Sequence, residues 1–118
     1  MITLHKSQAK VIKLPGRIIY SMVGFDGIEN DKMSFGVAEL PAKSKMDSHK
    51  HINEVEIIYI IEGFGKLHLE DGNFEPLEPG TVIVAPKNVN HSIENESSNV
   101  MQWCFCFNPP VRIGEHAK

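Results

Sequence analysis

The chain has 118 residues, 42% of them hydrophobic and 23% charged, with a formal net charge of -3. These figures describe one ordinary globular domain spanning 1–118, large enough to bury a single core without disulfide staples. The near balance of charge argues against a nucleic-acid surface or a basic membrane patch, and the longest aliphatic and aromatic run, Ile57 to Ile61, is far too short to span a bilayer.

From the amino terminus, MITLHKSQAK lacks the apolar stretch of a secretory signal, and at most a short turn is expected there. KVIKL and RIIYSMVG, separated by Pro15-Gly16, read as terminal strands within residues 10–24. On the second of these, period two sets Arg17 and Ser21 on one face and Tyr20 and Met22 on the other. The core of the domain is expected over about 33–107, followed by a tail at 108–118. Through that core, turn signals recur at Pro41, Gly63, Asp71-Gly72-Asn73, Pro79-Gly80, Pro86 to Asn88 and Asn95 to Asn99. Between them lie short segments rich in Val, Ile, Phe and Tyr, the pattern of an all-β sandwich or barrel.

Individual strands alternate cleanly. In GKLHLED, Leu67 and Leu69 oppose Lys66, His68 and Glu70, and Asp71-Gly72 is a hairpin signal leading to Phe74 to Leu77. In VMQWCFCF, Met101, Trp103, Phe105 and Phe107 share one face while Gln102, Cys104 and Cys106 share the other. Either face of that strand could line the interior. The two cysteines, at i and i+2, are poorly placed to bridge, which suits packing thiols in a reducing cytoplasm; a cytoplasmic location is expected.

The middle of the chain concentrates chemistry. HKHINEVE, His49 to Glu56, holds two histidines one residue apart and then two carboxylates one residue apart. On a strand, His49 and His51 point to one face and can share a metal ion. Glu54 and Glu56 have the opposite parity, so a carboxylate joins them only if the chain bends between His51 and Glu56, for which Ile52-Asn53-Glu54 is the candidate. Parity alone leaves open which glutamate it is, and an isolated His-x-His is more often an ordinary polar strand end.

The wider spacing resembles the cupin superfamily. Its first motif runs glycine, five residues, His-x-His, three or four residues, Glu, six residues, Gly; its second runs Gly, five residues, Pro-x-Gly, two residues, His, three residues, Asn. This chain answers with His49, His51, Glu56 and Gly63, and with Gly80, Pro86, His91 and Asn95. Lys43 and Asn88 stand where the motifs have glycine. Asn visits the left-handed region readily, whereas Lys43 suggests a different loop before the first histidine.

The resemblance implies a small single-domain cupin, a double-stranded β-helix (jelly-roll) barrel of six to eight strands, with one divalent transition-metal ion in its mouth. It further implies that His49, His51, Glu56 and His91 are the metal ligands. Three neutral imidazoles and one carboxylate leave such an ion with net charge +1 and coordination positions for a ligand. Fe, Mn, Ni, Zn and Co are not distinguished by this set. If Glu56 points inward, so do Ile58 and Ile60, while His91 shares its face with Ile93. With Trp103, Phe105, Arg17 and Tyr20 as further candidates, the pocket suits a small, partly apolar molecule that chelates through oxygen; an Arg can clamp a carboxylate and a Tyr can act as acid or base.

The leading expectation is a metal-dependent oxygenase (a dioxygenase-type enzyme) on a small organic substrate. The alternatives are a non-catalytic ligand-binding or sensory module, or a metal-dependent lyase, decarboxylase or isomerase. A homodimer is expected, with terminal strands adding to the partner's sheet and apolar surface supplied by KVIKL and the aromatic strand; neither nucleic acid nor membrane is expected as a partner. His5, His68 and His116 have no support as ligands.

Overall fold

Short apolar stretches that alternate with period two, broken every few residues by turn formers, can bury one face only by pairing into sheets. The computed structural model describes residues 2–113 and contains eleven strands and a single 3-10 turn at Lys6–Gln8. His116 and the end of the tail lie outside the described residues. The strands are β1 (Lys10–Leu14), β2 (Arg17–Gly24), β3 (Ile28–Glu29), β4 (Ser34–Leu40), β5 (Ser44–Lys45), β6 (Val55–Glu62), β7 (Gly65–Leu69), β8 (Phe74–Leu77), β9 (Val82–Ala85), β10 (His91–Asn95) and β11 (Met101–Asn108). No helix among the described residues is long and apolar enough to cross a membrane.

The seven-stranded sheet runs β1-β2-β4-β11-β6-β9 with β3 beside β2, and the four-stranded sheet runs β5-β10-β7-β8. Strands β4 to β11 are the eight of a double-stranded β-helix; β1, β2 and β3 extend the large sheet beyond it. Between the sheets lies one core, with Leu40, Ile58, Ile60, Met101 and Trp103 from the large sheet and Leu67, Leu77 and Ile93 from the small one.

Parity decides what enters that core. On β11 the buried residues are Met101, Trp103, Phe105 and Phe107, leaving Cys104 and Cys106 half-buried on the outer face. The large side chains go inside because only they fill the space between sheets at native density; each contributes about 2–3 kcal/mol by burial. The aromatic side chains of β11 thus serve the interior, and KVIKL pairs along its length with β2, from Lys10↔Ser21 to Leu14↔Arg17.

The two departures from the motif glycines take the backbone conformation that glycine would. Lys43 has φ 54° and Asn88 has φ 62°, the only non-glycine residues described with positive φ. Lys43 thus occupies a left-handed turn rather than a different loop, tied down by its Nζ donating to Glu96 O at 2.6 Å and its N–H donating to Ser97 O at 3.2 Å. Gly63 has the same need with less room, since at φ 93° a Cβ would stand 2.9 Å from Met101 Cβ.

Asn95, fully buried, closes the second motif as a structural clasp. Its Nδ2 donates to Leu40 O, Pro41 O and Asn99 O at 3.1, 3.0 and 2.9 Å, and its Oδ1 accepts from Ser97 N and Oγ at 2.9 and 2.7 Å. One side chain on β10 thereby ties the end of β4 to the loop that follows β10. Asn95→Ala should cost about 3 kcal/mol, because several buried groups lose a partner at once; a loss under about 1 kcal/mol in urea unfolding would show that they find others. Lys43→Gly should raise stability by roughly 1 kcal/mol by relieving the left-handed strain. A lowered urea midpoint at unchanged slope would instead show that the Lys43 hydrogen bond outweighs it.

Candidate metal centre

The first histidine is placed by the second motif. His49 and His91 exchange backbone hydrogen bonds, His49 N to His91 O at 3.1 Å and His91 N to His49 O at 2.9 Å, as an isolated bridge at the start of β10. His51 is pinned by the left-handed turn, for Asn88 N donates to its carbonyl at 2.7 Å. The chain then bends at Ile52 and Asn53 and begins β6 at Val55, in the other sheet. That bend resolves the parity conflict and turns Glu56 into the barrel.

His49, His51 and Glu56 each offer a ligand atom within 4.8 Å of the others. His91 stands on the Glu56 side, its Nε2 3.4 Å from Glu56 Oε1, while His51 Nε2 is 3.7 Å from the same oxygen. With metal–ligand bonds of about 2.1 Å, neighbouring ligand atoms lie roughly 3.0–3.4 Å apart and opposed ones about 4.2 Å. The set is slightly wider than a closed coordination shell. His51, Glu56 and His91 are 6%, 5% and 4% exposed, so this is an interior site with His49 nearer the opening. Glu54 does not join the group.

The imidazoles are oriented as ligands. His91 Nδ1 lies 3.2 Å from Val89 O and His49 Nδ1 lies 3.3 Å from Asp47 O. A carbonyl only accepts, so Nδ1 carries the proton and leaves the Nε2 lone pair for the site. The buried His91 Nε2 turns toward Glu56 Oε1, at the spacing of neighbouring ligand atoms. His51 packs edge-on against Phe107, ring centroids 4.6 Å apart. Burial alone would lower the His91 pKa, but the Glu56 carboxylate and the Val89 carbonyl more than offset it and leave the pKa raised. The local potential favours a cation, and the donor set of imidazoles and one carboxylate suits a divalent transition metal.

Around this group lies a cavity of about 550 Å³, its open mouth included, walled chiefly by apolar side chains. Arg17, Ile58, Ile93, Trp103 and Phe105 line it. Burial lowers the Arg17 pKa, and Glu56 and Asp47 draw it part of the way back. Tyr20 faces away from the cavity: its hydroxyl donates to Glu39 Oε1 at 3.0 Å and Lys6 Nζ sits 4.3 Å from its ring centroid. Period two sends Tyr20 outward once Arg17 and Ile19 turn in, which removes it as an acid or base for the pocket. Ile60 is fully buried in the core but does not line the cavity. His5 caps the first turn and His68 pairs with Glu94 at 2.8 Å, both away from the site.

Further lining residues are Leu14, Ile19, Met46, Phe107, Val111 and Ile113. Ile19 and Phe107 follow from the parity of Arg17 and Trp103. Val111 and Ile113 lie beyond the last strand and carry no periodic signal; they are held by Val111 N donating to Ser34 Oγ at 3.1 Å and by Arg112 stacked 4.4 Å from the Phe25 ring centroid.

Known proteins share this arrangement of strands. The family model for the cupin domain matches residues 36–107. An uncharacterized protein of Methanocaldococcus jannaschii is 34% identical over 95 residues, covering 80% of this chain and 75% of its own. The oxalate-binding protein of Thermotoga maritima is 32% identical over 78 residues, 66% of this chain and 64% of that one. The crystal structure of ectoine synthase from P. lautus superposes with a TM-score of 0.79 over 94% of this chain and 80% of its own, at 22% identity, a likeness of fold alone. The domain match spans more than half of the chain, and with it the double-stranded β-helix and both motifs: the chain belongs to the cupin domain family.

Proposed function

We propose that this cupin is a metal-dependent enzyme of the oxygenase type, acting on a small carboxylate that chelates the ion through oxygen. The observation that carries this reading is the charge inventory of the cavity. Among the described residues that line it, the only ionisable side chains are His49, His51, Glu56, His91 and Arg17. The first four would hold a divalent ion. When bound, that ion supplies a Lewis-acid centre with exchangeable positions and, as Fe(II) or Mn(II), a redox partner for dioxygen.

The protein's own part is binding and exclusion. With an ion in place the cavity carries a surplus of positive charge, because Glu56 alone opposes the ion and Arg17. An anionic substrate restores balance, and a guanidinium grips a carboxylate through two parallel hydrogen bonds. Ile19, Ile58, Ile93 and Phe105 form the remaining wall and exclude water from the bound molecule. Among the described residues, no Tyr, Lys, Asp or Cys lines the cavity as a spare proton carrier, which disfavours a lyase or isomerase that needs a separate acid or base. A second reading, a carboxylate-binding module without turnover, draws support from the relative named as an oxalate-binding protein.

Protein purified without added metal should contain close to one transition-metal ion per chain by elemental analysis. His51→Ala and His91→Ala should each lower that content at least tenfold; content that survives both substitutions would place the ion elsewhere. Arg17→Ala should leave metal content intact and weaken oxalate or 2-oxo-acid binding about 10–100-fold, the range for charge-assisted hydrogen bonds. The single tryptophan, Trp103, lines the cavity and reports that binding by fluorescence. Oxygen uptake with Fe(II) or Mn(II) across a panel of small carboxylates separates the two readings, since saturable binding without uptake identifies the binding module.

A further inference from the structure

On the inner face of the large sheet, β11 and β4 are matched unequally. Trp103, Phe105 and Phe107 stand opposite Ala38, Gly36 and Ser34 in the ladder, so each aromatic ring has a small residue as its cross-strand partner. Gly36 gives way furthest. A Cβ there would meet Phe105 Cζ at 2.7 Å and Cε2 at 3.2 Å, so the ring edge occupies the space of the missing side chain. The Phe105 ring thus lies along β4 instead of standing across the gap between the sheets, and the next residue in that row, Ser21 of β2, is small as well. Phe107 links this wall to the ligand group, its ring centroid 5.5 Å from that of Phe105 and 4.6 Å from that of His51. Ile93 and Met46, both buried, line the cavity from the side of the small sheet, with Met46 N donating to Ile93 O at 3.1 Å.

We infer that the guest of this cavity is a carboxylate with a flat aromatic body, and that Phe105 seated on Gly36, with Ala38 opposite Trp103, makes the room for it. The inference rests on the carboxylate reading above and names the part of the guest that the ion and Arg17 do not hold. Packed sheets lie about 10 Å apart, a gap that side chains from both inner faces normally fill. Where one strand supplies glycine and small residues and the opposing ring lies along the sheet, the space left over is a slot. A planar ring fits a slot that a branched chain does not. The lining suits a ring too, since Phe105 and Phe107 can meet it edge-on or offset, and the Met46 thioether is a favourable neighbour for an aromatic group. A bare anion such as pyruvate would engage the ion and Arg17 and leave this wall against water, forgoing the apolar burial that drives association. The cavity of about 550 Å³, mouth included, is of the size that encloses larger molecules than that. Among the described lining residues, none beyond the ligand group and Arg17 is charged, so a second anionic end has no partner in the slot.

Isothermal titration calorimetry on the metal-containing protein, in the absence of dioxygen, tests this with pyruvate and benzoylformate. The two probes share a 2-oxo-acid head and differ only in carrying a methyl or a phenyl group. Benzoylformate should bind at least about 30-fold more tightly and with a more negative heat-capacity change, as burial of the added ring requires. Ala38→Val thickens the wall opposite Trp103, and Phe105→Leu removes the ring that lies on Gly36. Each should shrink the preference for benzoylformate about fivefold or more, measured on protein with wild-type metal content and circular dichroism. Pyruvate bound as tightly as benzoylformate overturns the inference and leaves the carboxylate reading in place, whereas binding of neither probe overturns both. A preference that survives both substitutions overturns the assignment of the slot to these residues. If Ala38→Val does not fold, the wild-type ratio and Phe105→Leu decide.

Discussion

A strand offers its side chains only two directions, and the metal-capable group needs residues of both parities in one place. His49 and His51 share a direction that Glu56 does not. The bend at Ile52 and Asn53 reconciles them, and in doing so it carries the chain from the small sheet to the large one. The group therefore sits at the junction between sheets, with His49 and His91 from one side and Glu56 from the other. The cavity lies beside the same crossing and is lined from both sheets, by Ile58 and Phe105 on one and His91 and Ile93 on the other.

Holding that crossing in place requires backbone conformations that most residues avoid. Asn88 sits in the left-handed region and donates its N–H to the carbonyl of His51, so strain at one residue fixes a neighbour's position. Lys43 performs a similar turn at the entrance to β5, next to the segment that Asn95 clasps. Such strain persists where surrounding contacts over-determine the backbone. Polar groups, which contribute little net stability on average, here determine where the strand ends lie.

Much of this was legible in the residues. The intervals from His49 to Gly63 and from Gly80 to Asn95 carried the family resemblance, and once Glu56 turns inward, period two sets the directions of Ile57 through Ile61. Legibility failed where both faces of a strand look alike. On β2 each face mixes a polar and an apolar residue, Arg17 and Ile19 against Tyr20 and Met22, so hydrophobicity could not choose between them. On β11 both faces are apolar, and only the volume available between the sheets separates phenylalanines from cysteines. Lys43 misled for a different reason: a lysine reveals nothing of its backbone angle, and φ 54° is visible only in the fold.

Val111 and Ile113 make part of the cavity wall while belonging to no strand. They are held by burial against the core and by the Val111–Ser34 and Arg112–Phe25 contacts, rather than by a ladder. A change of length or composition there alters the shape of the chamber without shifting the register of any strand, whereas a similar change in β6 or β10 would displace Glu56 or His91. The barrel thus divides the cavity's construction, with the histidines and Glu56 set by the paired sheets and part of the wall set by a stretch outside any ladder.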